Sequence, residues 1–173
     1  MEMTLEFQRL VPVIVAFVDR LLLCHKHRWL GERLLQTFDQ HLLPKATIDY
    51  RLASYFPIFD RIAENDTVPA CGLLELLTKF IVSLVEKHGP DTGLKSWSLG
   101  SKVLGICRTL MIHHHSSRLF LGLSHLLAFT CLYFPDLEVR DNARYDKGNC
   151  FFLCSILNYS FPICITGLSY ISL

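Results

Sequence analysis

The chain has 173 residues, 51% of them hydrophobic, 12% aromatic and 19% charged, with 17 basic and 16 acidic side chains. One domain with a real core fits that length, and the apolar content excludes a disordered linker. The near-balanced charge argues against a nucleic-acid binder, which carries a basic excess or stripe. No glycine-rich phosphate loop, zinc-finger spacing or nucleophile elbow occurs, so enzymatic chemistry and cofactors have no foothold.

Helical periodicity runs through the body of the chain. Leu5, Leu10, Ile14, Phe17, Leu21 and Leu22 recur near helical spacing, with Glu6, Gln8, Arg9 and Asp19 elsewhere around the wheel. A second helix is expected over Trp29–Leu43, stopped by Pro44. Thr47 is a candidate cap for Ile48–Tyr55, and Pro57 breaks or restarts the chain before a short helix at Ile58–Glu64. Asn65-Asp66-Thr67 supplies turn chemistry. Leu73, Leu74, Leu76, Leu77, Phe80, Ile81, Leu84 and Val85 then form a broad apolar helix face, ended by His88-Gly89-Pro90-Asp91. Ser96–His114 and Ser117–Phe134 read as a helical pair. After the turn at Pro135-Asp136, Glu138–Tyr145 begins a helix that Asp146-Lys147-Gly148-Asn149 should stop.

No strand alternation is strong enough to build a sheet. The fold class expected is all-α, an alpha-solenoid of HEAT/armadillo-like stacked helical hairpins, with a closed bundle as the alternative. Pro44, Pro90 and Pro135 are 46 and 45 positions apart, within the period of about 40–47 residues of such repeats.

Charge stops abruptly at Lys147. The expected division is a helical trunk segment over 1–147 and an irregular, uncharged, apolar tail over 148–173 that is not part of the trunk. From Phe151 to Leu173 there are 23 positions, just past the ~20 that cross a bilayer, with Arg144 and Lys147 on the flank. Asn158, Pro162, Gly167 and the serines oppose insertion. A small tail-anchored membrane protein with a helical cytosolic head is the second functional reading. An exposed aggregation-prone segment is another account of the tail.

The N-terminus is no secretory signal, because Glu2 and Glu6 precede the apolar stretch and Asp19-Arg20 interrupts it. This and seven unpatterned cysteines point to the cytosol. His113-His114-His115 cannot converge on one metal ion from a helix, where neighbours point about 100° apart, and reads as a solvated helix end. His25 and His27 beside Cys24 lack a second cysteine pair. Cys150 and Cys154, with only Cys164 nearby, make a weak redox or zinc candidate. Glu64 with Asp66, and Glu75 with Glu86, read as surface charge.

The most specific stretch is Phe134-Pro-Asp-Leu-Glu-Val-Arg-Asp-Asn-Ala-Arg-Tyr145. Asp136, Val139, Arg140 and Ala143 match a HEAT pattern: a turn aspartate that caps the helix, then Val-Arg, then a small residue that admits a neighbour. Arg140 is expected to find a carboxylate or carbonyl on the preceding hairpin, and Arg108 to sit on a polar face. Pro135, Asp136, Val139, Arg140, Asp141, Ala143 and Tyr145, with Leu104–Leu110 and Leu119–Phe129, resemble the trunk of the beta-type large chains of adaptor-protein coat complexes. Within that family the resemblance is to the beta subunit of the fifth complex. It implies a non-enzymatic scaffold segment with no cofactor, whose partners are the other subunits of a heterotetramer. It further implies a cytoplasmic protein, peripheral on late-endosomal membranes through its complex and acting in vesicle-mediated transport.

Overall fold

The computed structural model describes residues 3–43, 48, 50–87 and 93–156. Seven α-helices follow one another: α1 (Met3–Leu23), α2 (Arg28–Thr37), α3 (Phe56–Glu64), α4 (Cys71–Lys87), α5 (Gly93–His113), α6 (Ser117–Tyr133) and α7 (Leu137–Ile156). A π-helical turn, Phe38–Leu42, extends α2, and a 3-10 segment, Tyr50–Tyr55, leads into α3. No strand occurs among the described residues.

The helices stack as two layers. In one, α1, α3, α5 and α7 pack in succession; in the other, α2 reaches α4 through its π turn and α4 packs on α6. Cross-layer contacts join α1 to α2, α2 to α3, α4 to α5 and α6 to α7. This is an all-α, solenoid-like array of helical hairpins, as the periodicity implies. Each helix turns an apolar stripe inward and meets neighbours on more than one side, so the core runs along the array.

Most of the buried apolar side chains belong to α3, α4, α5 and α6. Ile58, Phe59 and Ile62 of α3 and Leu73, Leu77 and Ile81 of α4 are almost wholly buried. Phe56 packs edge-on to Phe80 at 5.8 Å between ring centroids, a favoured quadrupole arrangement. Two glycines permit close helix approach. A Cβ on Gly100 would stand 2.7 Å from Phe134 Cζ and 3.0 Å from Val139 Cγ1, and one on Gly122 would stand 2.5 Å from Leu74 Cδ2. Gly100 therefore lets the α6–α7 corner sit directly on α5.

Several expectations are corrected. The helix expected over Trp29–Leu43 ends in a π turn. The stretch up to Tyr55 is a 3-10 segment rather than an α-helix, and it feeds α3, with Pro57 in the first turn, where its missing N–H costs nothing. Thr47, Pro44 and His88–Asp91 lie outside the described residues. The stop expected at Asp146-Lys147-Gly148-Asn149 does not occur: α7 runs on to Ile156. Glycine in a helix interior costs about 1 kcal/mol relative to alanine. The buried side chains of Cys150 and Cys154, within the next two turns, offset that cost. α7 thus runs on past Lys147, and the chain stays packed at least to Cys154. Residues 157–173 lie outside the described residues.

Candidate functional site

The segment that carries the resemblance forms the corner between α6 and α7. Asp136 caps α7: its Oδ1 accepts the backbone N–H of Val139 at 3.0 Å, three residues on. Val139 and Ala143 are fully buried, and Val139 meets the Gly100 surface of α5. Pro135 is half-buried, Asp141 is exposed and pairs with Arg144, and Tyr145 is exposed.

Arg140 departs from expectation. Its Nε is buried with no hydrogen-bond partner among the described residues. The ion pair lies one helical stripe away. Arg108 of α5 donates from Nε to both oxygens of Asp146 on α7, at 2.8 and 2.9 Å. Asp146 is 1% exposed and Arg108 45% exposed, so the pair closes the α5–α7 seam at the edge of solvent. Asp146, read from sequence as a turn residue, is a buried carboxylate, and Arg108 is its counter-charge. A signal for it existed. Val139, Ala143, Asp146, Cys150 and Cys154 recur at i, i+4, i+7, i+11 and i+15, one continuous stripe.

The seam around this pair is apolar. Cys107 and Cys150 are buried, and burial, the largest cause, pushes both thiols up to about 12. Asp146 reinforces the effect at Cys107, and Cys154 does so at Cys150. Protonated thiols of this kind act as small apolar side chains, not as nucleophiles. Cys150 Sγ contacts the Phe120 carbonyl oxygen at 3.7 Å. The six cysteines among the described residues are free.

Two further polar groups lie in the interior. His114 is buried, and its Nε2 lies 3.1 Å from the carbonyl oxygen of Ala63, tying the α5–α6 loop to α3. Because a carbonyl only accepts, Nε2 carries the proton. Burial lowers the His114 pKa, which the Ala63 hydrogen bond partly offsets. The histidine run is therefore not a uniformly solvated end: His113 and His115 are exposed and His114 is not. Asp39, on the π turn, sits against the start of α4, where a Cβ on Gly72 would lie 3.2 Å from its Oδ1. Burial raises its pKa, and the hydrogen bond from the Leu73 backbone amide offsets this only in part. An acid there complements the helix N-terminus, which has no side-chain cap of its own type in Ala70.

On the far side of the α6–α7 hairpin a groove of about 540 Å³ is open to solvent, lined by Cys131 and Leu132 of α6 and Arg144, Lys147, Gly148 and Phe151 of α7. Leu132 and Phe151 are exposed. Among the described residues no cluster of three histidine, cysteine or acidic side chains could hold a metal ion. The pairs Glu64–Asp66 and Glu75–Glu86 form no site: Glu64 binds Arg61 and Glu75 binds Lys79 along their own helices.

No arrangement of nucleophile, base and orienting group is assembled on these helices. What the geometry offers is surface: capped, tightly stacked hairpins with exposed flanks. The family model described as AP5B1, middle domain, matches residues 1–146. The chain belongs to this family. It is an adaptor-complex beta-subunit family, as the Pro135–Tyr145 resemblance implies, and its match covers α1 to the middle of α7. No curated protein and no solved structure matches the chain.

The tail-anchored alternative finds no support among the described residues. Among the described residues no helix is long and apolar enough to cross a membrane. The first six of the 23 positions that reading needs, 151–156, are the last turns of α7, with Cys154 buried.

Proposed function

We propose that the chain is a non-enzymatic scaffold segment of an adaptor-type membrane coat complex, acting in vesicle-mediated protein transport at late endosomes. The observation that carries this reading is the family match over residues 1–146, on a two-layer helical array. A scaffold of this kind works by surface complementarity. Its requirements are a rigid stack and exposed flanks, and both are present in the capped corner at Asp136 and the α6–α7 groove. The trunk segment proper is residues 1–147, and the uncharged sequence after it is an extension whose first turns prolong α7. The motif residues Pro135, Asp136, Val139, Arg140, Asp141, Ala143 and Tyr145 serve as the corner that seats one hairpin on the next. The partners are the other subunits of a heterotetramer, through which the chain reaches endosomal membranes from the cytoplasm.

The test is recovery. Affinity-tagged full chain is expressed in cultured cells, and the co-purified proteins are identified by mass spectrometry. Adaptor-complex subunits in stoichiometric amount, with the tag on late-endosomal membranes by microscopy, are the expected result. Recovery of no adaptor subunit would overturn the reading.

A further inference from the structure

Among the described residues, one flank of the α6–α7 hairpin is left without a helix against it. α6 and α7 are covered by α4 and α5 on one side, where Leu74 meets Gly122 and Val139 meets Gly100. On the other side Leu132 of α6 and Phe151 of α7 are exposed and line the groove. Both layers grow by laying a helix beside the one two before it, so this groove lies where the next helix of the stack would rest.

Charge narrows what can lie there. On α7, Arg140, Arg144, Lys147 and Phe151 recur at i, i+4, i+7 and i+11, one row along one face. Three of the four are cations, against a single acid, Asp141, that pairs with Arg144. Arg140 Nε is buried without a hydrogen-bond partner among the described residues. The groove itself is lined by Arg144 and Lys147, and Arg140 is not among its lining residues. Gly148 lies within the row, and a Cβ there would meet nothing within 4 Å, so an incoming backbone can approach closely. Residues 148–173 contain no charged side chain and so supply no side-chain carboxylate to this row.

The geometry points to the α6–α7 groove as a docking site for an acidic amphipathic helix of another polypeptide, with its apolar stripe on Leu132 and Phe151 and its carboxylates on Arg144 and Lys147. This is helix-in-groove recognition, with apolar anchors for affinity and charge for orientation and partner choice. It stands apart from the endosomal reading, since the test needs the chain alone.

The probe is a synthetic helical peptide with leucines at i, i+3, i+4 and i+7 and glutamates flanking that stripe, with a twin carrying lysine for each glutamate. Binding to the full chain is followed by fluorescence anisotropy. The glutamate peptide is expected to bind at least about tenfold more tightly than its twin, with the preference weakening as salt rises. The double variant Arg144→Glu, Lys147→Glu should invert the preference, which a misfolded variant could not do. Equal binding of both peptides, or binding of neither, overturns the proposal. So does glutamate-peptide binding that appears only after residues 157–173 are removed, since the chain's own tail then fills the groove. Self-association in sedimentation that the peptide competes away overturns it too, because the occupant is then a second copy.

Discussion

Removing either partner of the Arg108–Asp146 pair should be costly in one direction only. Breaking a fully buried ion pair by deleting one member costs about 3–5 kcal/mol, because a buried charge is left uncompensated. Here the burial is lopsided: Asp146 is 1% exposed, whereas Arg108 is 45% exposed. Arg108→Ala strands the carboxylate in an apolar seam beside Cys107 and Cys150, and after discount for partial solvent screening it should cost about 2–3 kcal/mol. Asp146→Ala leaves a guanidinium that can turn to water, in a helix that favours alanine, and should cost no more than about 1 kcal/mol. The double variant should fall close to Asp146→Ala, so that the coupling accounts for most of the Arg108 effect. With a urea m-value of about 2 kcal/mol/M, Arg108→Ala lowers the unfolding midpoint by about 1–1.5 M. Urea titrations of the three variants, followed by far-UV circular dichroism at neutral pH, give the comparison directly. An Asp146→Ala cost equal to or above that of Arg108→Ala would refute the reasoning, and so would neutrality of both.

Arg140→Leu should be neutral or stabilising by up to about 1 kcal/mol, since it removes an orphaned buried donor, and thermal melts beside Arg108→Ala will rank the two. Gly148→Ala should stabilise α7 by about 0.5–1 kcal/mol because its Cβ enters open space, whereas Gly100→Ala should cost about 1–3 kcal/mol by pushing into Phe134 and Val139; denaturation midpoints report both signs. His114 has a lowered folded pKa, so the unfolded chain takes up its proton first and stability falls as pH drops below the ordinary value of 6.5; His114→Gln, compared by urea midpoints from neutral pH to about pH 5, should flatten that slope. Deleting 148–173 should destabilise the body by about 1–2 kcal/mol more than deleting 157–173, because only the former removes the buried Cys150 and Cys154; equal melting temperatures would show that those turns pack weakly.

Helix content, the apolar faces and the Asp136 cap were legible from the chain alone, because each depends on neighbours within a few positions. Leu73 to Leu84 announce α4 by spacing, and Asp136 needs only Val139, three residues on, to satisfy a helix end. The weak point lay where a local signal opposed a distant one. Asp146-Lys147-Gly148-Asn149 has turn composition, yet α7 continues because Cys150 and Cys154 find a core and Asp146 finds Arg108, 38 residues away. No local rule contains that partner. The same distance separates expectation from outcome at His114, whose acceptor is Ala63, 51 residues back, and at Arg140, which the motif leads one to pair and the packing leaves without a partner among the described residues. The sequence determined which segments coil and which faces seek cover. Only the stacking of the layers decided which charges are buried, which are paired, and which flank of the α6–α7 hairpin is exposed among the described residues, because those depend on contacts between residues far apart in the chain.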